Sequence, residues 1–247
     1  MLIVANWKAY VEDVGKAKKL FAISKRLART TGFDLVLAPS APFLGALAVG
    51  NKSAVAFSAQ DISATTGGAK TGEATAGAYA AVGAAYAIIG HSERRAIGDT
   101  DAVVAEKLAR AFAHGLIPIL CVGERERDGE GRYLAFLREE LTAALAALTP
   151  RECAKIIVAY EPVWAIGKTA ADAVSPSDLA EMTLYIRKVL SEFLPGKNPF
   201  RSRVLYGGSV EQGNIRALAD GSGVDGFLIG HASVEPDTFA SLVRQLT

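Results

Sequence analysis

The sequence predicts one α/β domain, a closed (β/α)₈ barrel spanning residues 1–247. Two observations carry that expectation. Eight short apolar runs alternate with charged, amphipathic stretches along the whole chain, and no Pro/Ser-rich linker or shift of composition divides them. Runs of this length, rich in Val, Ile and Leu, read as strands buried on both faces. Strict alternation implies parallel strands joined by right-handed crossovers, and eight units in about 250 residues is the size of one closed barrel. The alternative architecture is an open doubly wound sheet. That fold usually carries a Gly-rich turn after its first strand, where this chain has Asn6-Trp7-Lys8.

In chain order the strand-like runs are Leu2 to Ala5, Asp34 to Ala38, Val55 to Ser58, Tyr86 to Ile89, Ile117 to Val122, Lys155 to Tyr160, Arg203 to Tyr206 and Gly226 to Ile229. The clearest amphipathic helices lie between them, over Lys16 to Arg29, Asp101 to His114, Arg132 to Leu148 and Ser177 to Phe193. Ser175-Pro176-Ser177-Asp178 reads as a helix start, with a capping hydroxyl and an early proline. The uncharged stretch Ala74 to Gly90 is mostly Ala and Gly, and Gly83 divides it into a helix followed by a strand, not a membrane span.

Lys plus Arg total 27 against 26 Asp plus Glu, which gives no electrostatic case for nucleic acid or an acidic membrane surface as a partner. Any bound anion must be held by local geometry. Two cysteines make no disulfide framework, and Cys121, in an apolar run, reads as a small buried hydrophobe. The Met1-Leu-Ile-Val-Ala5 stretch is too short for a signal peptide, so a reduced cytoplasmic setting is expected.

Active sites of such barrels lie at the C-terminal ends of the strands. Lys8 follows the first strand. His91 follows the fourth and opens a helical turn whose N–H groups favour a neutral ring. Glu161 follows the sixth, fixed before Pro162 and near Trp164, where burial disfavours charge and so makes a carboxylate a better base. Each alone is a weak signal, and a lone Lys or His there is more often structural; three strand ends facing one mouth supply a cation, a neutral acid and a base. Gly207-Gly208-Ser209 and Gly230-His231 follow the last two strands, the position of the frequent phosphate site of these barrels, where bare backbone N–H groups meet an anion.

Ala5-Asn-Trp-Lys8, Thr71-Gly-Glu73, Ile89-Gly-His-Ser-Glu-Arg-Arg95, Cys121-Val-Gly-Glu124, Ala159-Tyr-Glu-Pro-Val-Trp-Ala-Ile-Gly167 and Tyr206-Gly-Gly-Ser-Val210 resemble the motifs of the triosephosphate isomerase family, in that family's order. The resemblance implies a TIM barrel that interconverts glyceraldehyde 3-phosphate and dihydroxyacetone phosphate, without cofactor or metal. Glu161 is then the base, His91 the electrophile, Lys8 the cation and Asn6 part of its pocket, with Ser92 and Glu93 supporting them. Gly167, Ser209, Gly230 and His231 would hold the substrate phosphate, Pro162 to Lys168 would form the lid, and Thr71 and Glu73 would lie on the loop through which a homodimer forms.

Three positions depart from the pattern. Ile166-Gly167 passes directly to Lys168-Thr169, and Ala170 to Val174 are extra, which alters the second lid hinge. His231 stands where the family usually has a glycine and would be strained if that position needed positive φ. Lys70 stands where the interface loop commonly has an aromatic residue. Tetrulose phosphates, one carbon longer, are an alternative substrate class, since a pocket distinguishes one carbon by only about 1–3 kcal/mol. A non-catalytic sugar-phosphate binder and a Schiff-base aldolase are the other readings. The first is opposed by Lys8, His91 and Glu161 together, the second by the lack of a further strand-end Lys.

Overall fold

A computed structural model describes residues 1–167, 173–198 and 202–247. Its elements run β1 (Leu2–Asn6), α1 (Val14–Thr31), β2 (Asp34–Ala38), α2 (Ala41–Ala48), β3 (Ala56–Ala59), α3 (Ala76–Ala81), β4 (Tyr86–Ile89), α4 (Ser92–Ala96), α5 (Asp101–Ala113) and β5 (Ile117–Val122). They continue with α6 (Arg132–Leu145), α7 (Pro150–Cys153), β6 (Ile157–Tyr160), α8 (Pro176–Ser191), β7 (Arg203–Tyr206), α9 (Ile215–Gly221), β8 (Gly226–Ile229) and α10 (Pro236–Arg244). The strands pair in parallel in sequence order, and β8 returns to β1 with Leu2 opposite Gly226, closing the predicted barrel.

Alternate residues of each strand serve two cores. Leu2, Val4, Val36, Ile88, Ile119, Ile157, Leu205 and Leu228 fill the barrel, while Ile3, Leu35, Leu37, Ile89, Leu120, Val158 and Val204 pack under the helices. Burial on both faces is why the strands read as continuous apolar runs, each large side chain contributing about 1.5–3 kcal/mol. Cys121 lies in the inner core; burial, and then the Glu161 carboxylate, push its thiol well above the usual range, so it stays protonated. It behaves as the small hydrophobe expected of it.

The predicted cap is present: the Ser175 hydroxyl accepts the Asp178 N–H at 3.1 Å. The helix expected to reach Leu148 instead stops at Leu145, and Thr149 opens α7 through a reciprocal cap with Glu152. Leu148, three residues beyond Leu145, continues the apolar spacing of α6 and packs against the same core, so periodicity alone does not mark the end of the helix. Ala74 to Gly90 contains α3 and then β4, as expected. Among the described residues no helix is long and apolar enough to cross a membrane.

Candidate active site

The strand ends converge on a cavity of about 440 Å³ lined by Asn6, Lys8, His91, Glu161, Gly167, Ser209, Gly230 and His231, together with Glu93, Ile166, Gly207 and Gly208. Asn6 is the buried last residue of β1, and its side-chain oxygen accepts the Lys8 N–H at 3.1 Å. That bond accompanies a backbone at φ 46° for Lys8, which among the described residues is the one non-glycine with positive φ. Such a conformation costs about 1–3 kcal/mol and persists only where its surroundings impose it. Gln60 supplies part of that constraint, donating from its amide to both the Lys8 and Ala38 carbonyls at 2.9 Å. The Lys8 ammonium reaches Glu93 Oε1 at 2.7 Å. Burial raises the Glu93 pKa, but the hydrogen bond and charge of Lys8 outweigh it and hold the carboxyl below its usual range.

His91 caps α4: its Nδ1 accepts the Glu93 N–H at 3.2 Å. An accepting Nδ1 carries no proton, so the neutral ring bears its hydrogen on Nε2. That nitrogen lies 3.4 Å from Glu161 Oε1. The two residues expected to act together therefore stand side by side in the cavity. Ser92 contributes through its backbone, its N–H donating to Glu161 Oε2 at 3.3 Å.

Glu161 is 2% exposed and held from several sides. Its N–H donates to the Val122 carbonyl at 2.8 Å. A side chain on Gly123 would overlap the Glu161 carbonyl, and a Cβ on Gly207 would come within 2.8 Å of Glu161 Cγ. Two glycines thus let neighbouring strand ends close around Glu161.

Downstream of Glu161, a 3₁₀ turn at Val163–Ala165 begins the predicted lid. The Trp164 indole and the Tyr160 hydroxyl both donate to Glu124 Oε1 at 2.8 Å, with the Arg127 Nε at 3.3 Å from the same oxygen. Burial, with the nearby Glu124 carboxylate, raises the Tyr160 phenol far above its usual range, so it serves as a fixed donor. The Ser209 hydroxyl donates to the Ala165 carbonyl at 2.9 Å, joining this 3₁₀ turn to the glycine-rich turn after β7. Lys168 to Asp172, which belong to the altered hinge, lie outside the described residues.

His231 is exposed and opens a 3₁₀ turn without a left-handed φ, so the strain envisaged for it does not arise. Its ring meets Tyr10 edge-on, with centroids 5.2 Å apart. Thr71 and Glu73 lie on an exposed loop outside this cavity, and Glu73 borders a second depression that also touches Asn6 and Lys8. Among the described residues no group of three or more His, Cys, Asp or Glu side chains is arranged to hold a metal ion.

Sequence reasoning assigned no role to Gln60, Gly123 or Glu124, and placed Gly207 in a glycine-rich turn without its contact with Glu161. Their contacts are long-range, and only Cys121-Val-Gly-Glu124, at the end of a strand, offered a signal.

The family model described as triosephosphate isomerase matches residues 1–246. The triosephosphate isomerase of Thermus thermophilus is 40% identical over 99% of this chain and 98% of its own length. That of Alcanivorax borkumensis is 41% identical over 98% and 97%, and that of Symbiobacterium thermophilum 37% over 98% and 94%. The match runs the length of a chain whose barrel and strand-end residues already point the same way, and the chain belongs to the triosephosphate isomerase family.

Proposed function

We propose that this isomerase interconverts D-glyceraldehyde 3-phosphate and dihydroxyacetone phosphate by proton transfer through an enediolate, with Glu161 as the base, in cytoplasmic glycolysis and gluconeogenesis. The observation that carries the mechanism is the 3.4 Å approach of His91 Nε2 to Glu161 Oε1 in the cavity that Lys8 enters. A substrate carbonyl oxygen takes the Nε2–H, and Glu161 turns to the adjacent C–H. The oxyanion that forms is stabilised by the Lys8 ammonium and the neutral imidazole, donors already in place before reaction. The backbone N–H groups of Gly167, Ser209, Gly230 and His231 suit the phosphate. Closure of Pro162 to Lys168 excludes water from the intermediate and hinders phosphate elimination. Assays of the purified protein with triose and tetrulose phosphates test the reading. Fast turnover of the triose pair is expected; preference for the tetrulose pair, or no turnover of either, overturns it.

The His231 ring stands outside this scheme, because only its backbone is assigned to phosphate. His231→Gly is expected to leave KM within about threefold, the scale of a near-neutral surface change. Much tighter substrate binding by the variant contradicts that assignment.

The working form we infer is a homodimer. Residues 67–73 are all exposed, and beside Lys8 lies a depression of about 740 Å³ lined by Gln60, Ile62, Tyr79 and Glu93. The protruding loop of a second copy fits there and braces Asn6 and Lys8. Analytical ultracentrifugation at micromolar concentration is expected to return a dimer; a fully active monomer contradicts it.

A further inference from the structure

Behind Glu161, on the side away from the substrate cavity, lies a further cavity of about 680 Å³ where three helices and two strand-end turns meet. Its central feature is Glu140, a carboxylate 4% exposed within the inward stripe of α6, where Leu137, Leu141, Ala144 and Leu145 are otherwise apolar. Burial pushes this carboxyl up to about 7 in spite of the neighbouring Arg95 guanidinium. A charge buried at that cost is weak evidence of a stability role, and groups of this kind gather at functional sites. The groups facing it are Arg95 from α4, Asp101 from α5, and Glu124 in the segment between β5 and α6.

Its two oxygens have separate partners. Oε2 accepts the Gly123 N–H at 3.0 Å, and Oε1 lies 3.3 Å from Arg95 Nε. Gly123 is the residue on which any side chain would overlap the Glu161 carbonyl, so its peptide forms the surface on which the base's backbone rests. Arg95 donates from the same Nε to the Gly90 carbonyl at 3.0 Å, immediately before His91, and from Nη1 to Asp101 at 2.6 Å. One pair of side chains therefore ties the turn that presents His91 to the turn that supports Glu161.

We propose that Glu140, braced by Arg95, is a positioning residue for the isomerase reaction, holding the Gly123 peptide against the backbone of Glu161 and so setting the spacing between base and acid. It touches no reacting atom. The inference rests on Glu161 and His91 acting as described under the proposed function, and it goes beyond that reading by placing part of their geometry in the helix layer. A base displaced by about 1 Å can lose about 100-fold in rate.

The test is steady-state isomerisation by the full-length protein, its E140L and E140Q variants and the R95M variant, each verified as folded by circular dichroism. Leu fits the apolar stripe but cannot accept the Gly123 N–H. We expect E140L to lose between about tenfold and 100-fold in kcat with KM changed less than twofold, a loss of the kind caused by misplacement. E140Q keeps an acceptor for Gly123 and is expected to recover most of that loss. R95M removes the brace but leaves the Gly123 bond, and a fall of a few fold in kcat at unchanged KM is expected; because Glu140 stays in place, it serves as the test if E140L does not fold. A folded E140L with parental kcat, a loss confined to KM, an E140Q as impaired as E140L, or an R95M at the parental rate overturns the proposal. A parent enzyme without triose phosphate turnover would instead overturn the proposed function, so the two failures are distinct.

Discussion

Replacement of Glu161 by Gln is expected to lower kcat by about 10²–10⁴-fold, the contribution of a positioned general base. KM is expected to stay within a few fold, because the amide preserves the volume of the side chain. Its oxygen can still accept the Ser92 N–H, which donates to Glu161 Oε2 at 3.3 Å. The cavity, Lys8 and the glycine-rich turns are untouched, so substrate is still held but its proton has no acceptor. Steady-state kinetics of the two proteins at matched concentration measure the effect. A variant within tenfold of the parent would mean that another group abstracts the proton.

Gly123→Ala is expected to damage both the fold and the rate. The added Cβ overlaps backbone atoms of Glu161, both its carbonyl oxygen and carbonyl carbon, so no change of rotamer relieves it. Either Glu161 or the end of β5 must move. Overpacking of this kind costs about 1–3 kcal/mol, and a shift of the base of about 1 Å costs about 100-fold in rate. Thermal unfolding and kcat are therefore expected to fall together. Gly207, whose Cβ would come 2.8 Å from the flexible Cγ of the same residue, offers a gentler contrast, since a side-chain atom can yield. An alanine at 123 with parental melting temperature and kcat would contradict the packing described.

The barrel was legible because its strands are buried on both faces. Leu2 to Ala5 and Ile117 to Val122 stand out from any amphipathic pattern, and eight such runs leave few ways to close a sheet. The shorter helices α2 and α7 were not assigned. One is an eight-residue apolar segment with no polar face, the other a single turn, and neither carries an amphipathic stripe. At the cavity, Lys8, His91 and Glu161 were legible because each lies within two residues of the C-terminal end of a strand in a parallel barrel. Glu124 and Glu140 were not. A carboxylate on an amphipathic helix such as α6 reads as a solvated charge, and only the fold shows it turned inward beside Gly123 and Arg95. The left-handed backbone of Lys8 is likewise set by Asn6 and Gln60, the second 52 residues away.

The most direct test of the central claim, that Glu161 moves a proton through an enediolate, is isomerisation of glyceraldehyde 3-phosphate in D₂O followed by proton NMR. A carboxylate base that exchanges with solvent while the intermediate is bound is predicted to deliver deuterium to the carbon that gains hydrogen in dihydroxyacetone phosphate, with turnover and incorporation lost together in E161Q. Turnover with no deuterium at that carbon, undiminished in E161Q, would mean a direct hydrogen shift between the two carbons and would contradict the account.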